Sequence, residues 1–262
     1  MIEHVYARAA AAPGVDAVVV ATDDARIEQA VKNFGGFVRM TSAKHRTGLD
    51  RIAEIVADLA CEVVVNVQGD EPLIEPQAIA ELIAPFDRDP SIQMTTLRRR
   101  ITHASDYNDP NVVKVVVDVE SNALYFSRAP IPYAAEPGAL AVRESGPPRQ
   151  HWLVGSQSDP TLANAAGPRV GSYSYVPHVV GTGFTRPVYK HIGLYAYRRE
   201  FVRELAALPQ TPLELAESLE QLRALEHGFQ ICAVETQYDS IGVDTPEDLA
   251  RVRRQMTVGT RG

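Results

Sequence analysis

Apolar positions along the chain recur with a helical period in some stretches and gather into short unbroken runs in others, and the two patterns alternate. Residues 2–12 read as a helix, and Pro13-Gly14 turns the chain into a strand at 17–21. Thr22-Asp23-Asp24 then caps a helix over 24–34, with Ile27, Ala30, Val31 and Phe34 at helical spacing and Gly35-Gly36 ending it. A short strand through Phe37-Val38 leads to the loop 41–48, and a further helix follows whose Ile52, Ile55, Val56 and Leu59 share one face. Next comes Val63-Val64-Val65-Asn66-Val67, β-branched, too short for a buried helix and closed by Gly and Pro. It predicts a strand buried on both faces, as in a parallel sheet. Helix and strand in alternation argue for a parallel sheet with helices on both sides.

Beyond Pro76 a helix through Ile79, Leu82 and Ile83 precedes strands at 93–97 and 112–117, and a turn at 118–122 joins the latter to 123–126 as a hairpin. From about 134 to 187 the chain turns to Gly, Pro and Ser without periodicity, which reads as a mobile insertion. A strand at 191–197 restores order. Helices follow through 201–205 and over 213–227, the latter with Leu215, Leu219, Leu222 and Leu225 as its core stripe, and a strand at 231–234 comes next. The whole of 1–262 thus reads as one α/β domain with antiparallel additions and one insertion.

The apolar run ends in Gln68-Gly69-Asp70-Glu71-Pro72. Ligands of open parallel sheets sit outside the carboxyl ends of strands, so Gln68, Asp70 and Glu71 are expected to emerge where a substrate or cation lies. Asp70 as a mere turn former is the plainer alternative. In Gly242-Val243-Asp244-Thr245-Pro246-Glu247-Asp248, Thr245 as N-cap and Pro246 at the first helical position explain every residue but Asp244, itself open to the same plain reading.

Charge narrows the partners. A formal net charge of -7 leaves no basic field for nucleic acid or an anionic membrane. No apolar run reaches 18 residues and no leader-like segment opens the chain, so neither a membrane span nor a signal peptide is expected. Cys61 and Cys232 stand apart, without metal-ligand spacing, which suits buried thiols in a reducing cytoplasm.

Six blocks together carry a resemblance: Thr47-Gly48-Leu49-Asp50-Arg51, Asn66-Val67-Gln68-Gly69-Asp70-Glu71-Pro72, Leu124-Tyr125-Phe126-Ser127-Arg128-Ala129, His191-Ile192-Gly193-Leu194-Tyr195, Leu219-Glu220-Gln221-Leu222-Arg223 and the Asp244 motif. In this order they resemble the 3-deoxy-manno-octulosonate cytidylyltransferases. The resemblance implies a Rossmann-like nucleotidyltransferase fold, mostly parallel in its central sheet, and a homodimer that joins CTP to the sugar acid Kdo for lipopolysaccharide biosynthesis. It puts the Mg²⁺-binding, catalytic aspartates at Asp70 and Asp244. Thr47, Gly48 and Arg51, with Asp70, fall near the nucleotide, while Gln68, Lys190, His191, Tyr195, Glu220 and Gln221 fall near the Kdo. His45 matches a family position too, although a loop histidine is equally a surface residue.

The chemistry of these residue types agrees. Attack on the α-phosphorus builds charge on phosphate oxygens, which carboxylate-held Mg²⁺ stabilises. Lys190 or His191 suits the Kdo carboxylate, and Gln68 or Gln221 suits its hydroxyls. Family members open with a strand and a loop of the type PARxxSxRLPGKPL that clamps the triphosphate, whereas Met1-Ile2-Glu3-His4-Val5 matches the helix after it. The first strand is expected between 17–21 and 63–67, and losing about five buried apolar residues forfeits on the order of 7–15 kcal/mol. A start upstream of Met1 is therefore expected, and a catalytically impaired homologue that keeps sugar-acid binding or dimer contacts is the alternative function.

Overall fold

A computed structural model describes residues 1–45, 47–133, 187–239, 241–243 and 245–259. The insertion expected at 134–187 lies outside them but for Pro187.

Helix α1 (Ile2–Ala10) is followed by strand β1 (Val20–Thr22), helix α2 (Ala25–Asn33) and strand β2 (Val38–Met40). Asp24 caps α2 by accepting a hydrogen bond from the Arg26 N–H at 2.7 Å, and Gly35 takes the left-handed conformation, φ 77°, that ends it. Helix α3 (Gly48–Val56) leads to strand β3 (Val63–Asn66), helix α4 (Pro76–Arg88) and strand β4 (Met94–Arg100). Helix α5 (Ala104–Asn108), which the sequence reading did not foresee, comes before the hairpin of β5 (Lys114–Val117) and β6 (Ala123–Ser127), with Ser121 at φ 71° in its turn. Strand β7 (Tyr189–Arg198), helix α6 (Arg199–Ala207), helices α7 (Pro212–Glu217) and α8 (Leu222–Glu226), strand β8 (Cys232–Glu235) and helix α9 (Pro246–Gly259) complete the chain.

The α/β class stands, but the share of parallel pairing is smaller than expected. Strand β7 runs antiparallel to β3, β4 and β5, and β5 to β6. Among the described residues, only β1 with β2 and β4 with β8 pair in parallel. The reason is where β7 sits: one reversed strand of ten residues lies between β3 and β4, so each neighbour that would otherwise pair in parallel meets it instead.

Alternation along β7 divides the core in two. Ile192, Leu194 and Ala196 pack with Val5 and Ala9 of α1 and Leu82 of α4, while Tyr189 and Tyr197 pack on the other face with Leu49, Phe126 and Leu222. The expected helix over 213–227 breaks. Ser218 takes a left-handed conformation, φ 54° and ψ 49°, between α7 and α8, and Leu215 is 61% exposed whereas Leu222 is fully buried. A buried pair spans the break: Arg223 donates to both carboxylate oxygens of Glu214 at 2.9 and 2.6 Å.

Two further expectations need correction in the first part of the chain. The strand at 17–21 is reduced to Val20–Thr22, and β3 is half-buried rather than covered on both sides. Both have one cause, since the segment 15–21 and strand β3 face each other across a cavity of about 1130 Å³ without pairing to one another.

Candidate active site

The site gathers at the carboxyl end of β3 and the amino end of α3. Thr47 is the N-cap of α3, its hydroxyl accepting from the Asp50 N–H at 3.2 Å. The same hydroxyl bonds the Glu220 carboxylate, so the start of α3 is tied directly to the α7–α8 break. Gly48 lies against the end of β3: a Cβ there would sit 3.9 Å from Asn66 Nδ2, an ordinary contact. Arg51, one turn on, pairs with Asp23 at 3.1 Å and donates to the Thr41 hydroxyl.

Across the sheet, Asn66 pairs with Tyr195 of β7, whose ring lies 5.4 Å from that of His191. Phe126 meets the His191 ring edge-on at 4.9 Å, and the Thr96 hydroxyl sits 2.9 Å from His191 Nε2. Both His191 and Tyr195 lie deep among protein atoms yet keep some exposed surface. Burial pushes the His191 imidazole down to about 3, so the ring is neutral near pH 7. Burial, with the Glu220 charge second, pushes the Tyr195 hydroxyl upward. Glu220 is itself raised, chiefly by burial and against the Thr47 hydrogen bond.

Two buried polar atoms here have no partner among the described residues: Glu220 Oε1 and Gln221 Nε2. A buried acceptor and a buried donor left unpaired cost free energy unless a ligand satisfies them, and a hydroxyl-rich molecule does so for both. Their placement follows from the Ser218 break, after which 219–221 form a buried turn instead of a helix interior.

Asp70 lies in the turn after β3, and its carbonyl accepts from the Val243 N–H at 3.0 Å. The segment preceding Asp244 is thereby held against Asp70, while Asp244 itself lies outside the described residues. The Asp70 carboxylate has no hydrogen-bond or ion-pair partner among the described residues, and no group of three or more His, Cys, Asp or Glu side chains gathers there as a metal cage. A carboxylate left open at a strand end fits Mg²⁺, which is usually held by one or two carboxylates together with phosphate oxygens and water. Gln68, exposed beside it, donates to Asn66 at 3.4 Å.

Three placements differ from expectation, and His45, left open between two readings, has a local partner. Glu71 does not face the site: it is 6% exposed and accepts a hydrogen bond from the Tyr238 hydroxyl at 3.3 Å. Lys190 and His191, adjacent in β7, point to opposite faces of the sheet, and Lys190 pairs with Asp239 at 2.6 Å and Asp106 at 3.5 Å. His191, held neutral by burial, supplies no positive charge. His45 bonds the Glu54 carboxylate on α3, which also accepts from the Ser42 N–H, so it braces the loop before the helix. Sequence reasoning missed Asn66 and Thr96 as supports. Asn66 had a signal, being the one polar residue inside a valine run, whereas nothing marked Thr96.

A mixed sheet flanked by helices, with a carboxylate just past β3 and the capped start of α3 held against the end of that strand, suits a nucleotidyltransferase. The comparisons narrow the class. A family model described as cytidylyltransferase matches residues 1–231, and the chain belongs to that family. It is 48% identical over 256 residues to the 3-deoxy-manno-octulosonate cytidylyltransferase of Geobacter sulfurreducens, covering 98% of this chain and 88% of the relative. The enzyme of the same name from Pelobacter propionicus is 47% identical over 255 residues, covering 97% and 86%. Among solved structures, a CMP:2-keto-3-deoxy-manno-octonic acid synthetase complexed with CTP shares 36% identity at a TM-score of 0.75, covering 98% of this chain and 88% of that one.

Proposed function

We propose that this chain joins CTP to 3-deoxy-D-manno-octulosonate, releasing diphosphate and forming CMP-Kdo for lipopolysaccharide biosynthesis. The observation that carries the proposal is the pair of unpartnered buried atoms, Glu220 Oε1 and Gln221 Nε2, one hydrogen bond away from the helix start at Thr47. A sugar acid seated on that pair lies next to the place where a nucleotide meets the N-terminus of α3, whose free N–H groups suit phosphate. The names of the relatives support the same substrates.

The placements support the following roles. Gln221 donates to, and Glu220 accepts from, the hydroxyls of the sugar, and the neutral His191 and Tyr195 form the floor beneath it. Thr47 and Gly48 present the helix start to the nucleotide, and Arg51 stands one turn behind them. Asp70 and Asp244 would hold Mg²⁺, which when bound offsets the charge of the triphosphate. None of the described groups around the sugar is a free base of ordinary pKa, so positioning and charge stabilisation do most of the catalytic work. The free thiols Cys61 and Cys232 support a cytoplasmic location. The exposed Leu124 of β6 and Leu213 and Leu215 of α7 support a homodimer. No helix among the described residues is long and apolar enough to cross a membrane.

Diphosphate release from CTP, Kdo and Mg²⁺ tests the proposal. Asp70→Asn is expected to keep the fold and to lower turnover by about 10²–10³ or more, the usual loss when a charge-stabilising group goes. Turnover at the parent rate would overturn the assignment of Asp70. Sugar-acid binding by calorimetry with no diphosphate release from the parent chain would favour the alternative, a binding homologue.

A further inference from the structure

Thr96 sits where the ladder between β4 and β7 slips. It pairs with Tyr195, whereas the next residue, Leu97, pairs with Ile192, so Gly193 and Leu194 face no residue of β4. The Thr96 hydroxyl fills the gap. Its oxygen lies 2.8 Å from the Leu194 carbonyl oxygen, 3.4 Å from that of Ile192 and 2.9 Å from His191 Nε2, and both Thr96 and Leu194 are fully buried.

A hydroxyl carries one hydrogen, and these three groups compete for it. A carbonyl only accepts, so two oxygens 2.8 Å apart need that hydrogen between them. Given to His191 instead, it would leave the Thr96 and Leu194 oxygens in contact with no hydrogen between them, where water does not reach. The hydroxyl therefore donates to Leu194 and accepts from His191, which requires a hydrogen on Nε2.

The imidazole is neutral near pH 7, because burial disfavours its charged form, and it has only this one ring hydrogen to place. Nδ1 is left with a bare lone pair and accepts no hydrogen bond among the described residues. Phe126, edge-on at 4.9 Å, and Tyr195 at 5.4 Å hold the ring. Gly193 lies between His191 and Tyr195 on the same face of β7, and a Cβ there would meet nothing within 4 Å among the described residues. That face is open at the glycine.

A lone pair on an uncharged ring attracts an O–H group and repels a carboxylate. We propose that Thr96 is a positioning residue that fixes His191 as the Nε2–H tautomer, so that Nδ1 accepts from a hydroxyl of the sugar acid and does not meet its carboxylate. The tautomer follows from the protein alone, whereas the hydroxyl rests on the proposed function.

Nitrogen-15 spectra of the full chain test the tautomer without any ligand. The chain has seven histidines, and the signals lost in His191→Gln are those of His191. Near pH 7 the parent is expected to show Nε2 bearing hydrogen and Nδ1 bare. The reverse pattern, or an even mixture, would overturn the proposal, and the parent spectrum decides this even where a variant fails to fold. Thr96→Val is expected to lose the single tautomer and to raise the KM for Kdo about three- to tenfold, the worth of one hydrogen bond, with the KM for CTP unchanged. Thr96→Ser keeps the hydroxyl and should restore both readouts. Thr95→Val is the control, because the Thr95 hydroxyl donates to the Leu82 carbonyl at 2.8 Å on the other face of the sheet. Its loss should lower stability and leave the His191 signals and the KM for Kdo as in the parent. An equal rise in that KM from Thr95→Val would make the effect structural and remove the role of Thr96. Added Kdo should shift the Nδ1 signal as a hydrogen bond forms there. Kdo that binds by calorimetry and leaves Nδ1 unmoved would overturn the hydroxyl assignment. No Kdo binding at all would overturn the substrate reading, and the tautomer result would still stand.

Discussion

The half of the molecule built around β7 and the half built around β3 use the same kinds of residue to different effect. Strand β7 has partners along both edges, and Leu194 and Ala196 at its centre are fully buried. Strand β3 has one partner among the described residues, and its three valines remain half-buried although their side chains are just as apolar. Burial here is decided by whether a neighbouring strand is present, not by the hydrophobicity of the run. The candidate site straddles this divide. Glu220, Gln221, His191 and Tyr195 rest on the closed half, while Asp70 and the start of α3 border the open one.

The closed half depends on the buried Glu214–Arg223 pair, which joins the two short helices on either side of Ser218. Glu214→Ala leaves a guanidinium buried without its counterion and is expected to destabilise the chain by about 3–5 kcal/mol in urea unfolding. Because Glu220 and Gln221 lie between the paired residues, the KM for the sugar acid should rise as well. Removing both charges at once, with Glu214→Leu combined with Arg223→Met, should recover most of the lost stability. A cost below about 1 kcal/mol for Glu214→Ala would show that the break is held by other contacts.

A second measurement sets the halves against each other directly. Leu194→Ala opens a hole in a packed core and is expected to cost about 2–5 kcal/mol. Val65→Ala removes less and does so from a wall that already faces a cavity, so its cost should stay near or below about 1 kcal/mol. Equal costs would mean that β3 is packed as tightly as β7 and that the comparison is wrong.

Much of this was legible in the sequence where the signal was local. Asp24 as a cap, Gly35 as a helix stop, the hairpin turn at 118–122 and the start of α9 all depend on neighbours a few residues away, and all are found. The pairing partner of a strand is not local information. The apolar run at 63–67 predicts a strand doubly buried in a parallel sheet because such runs usually are, yet its neighbour is the reversed β7 from more than a hundred residues later. The leucine spacing over 213–227 is helical across the break, and only the buried Glu214–Arg223 pair and the left-handed Ser218 show why the helix stops. Lys190 and His191 illustrate the limit for the site. Adjacent residues in a strand must part to opposite faces, so a charge and a neutral ring that looked interchangeable by composition serve different surroundings.

The smallest effect tests the neutrality of His191. The imidazole is held at about 3 in the folded chain and returns to near 6.5 when unfolded, so between those values the unfolded state binds the extra proton. Stability on account of this group is complete above pH 6.5 and is lost as pH falls towards the folded value, by at most about 1.4 kcal/mol per pH unit. The ring keeps some exposed surface, which lowers that slope. His191→Gln retains a hydrogen-bonding group opposite Thr96 and has nothing to titrate, so the stability difference between parent and variant should shift with pH below 6.5 and stay constant above it. Urea unfolding at half-unit steps from about pH 7.5 to about 4.5 reads the difference. Parallel curves over the whole range would mean that the imidazole is protonated as readily in the fold as out of it. Under the proposed function, the Kdo carboxylate would then meet a cation at His191, and the proposed sugar site would work by charge instead of by hydrogen bonds.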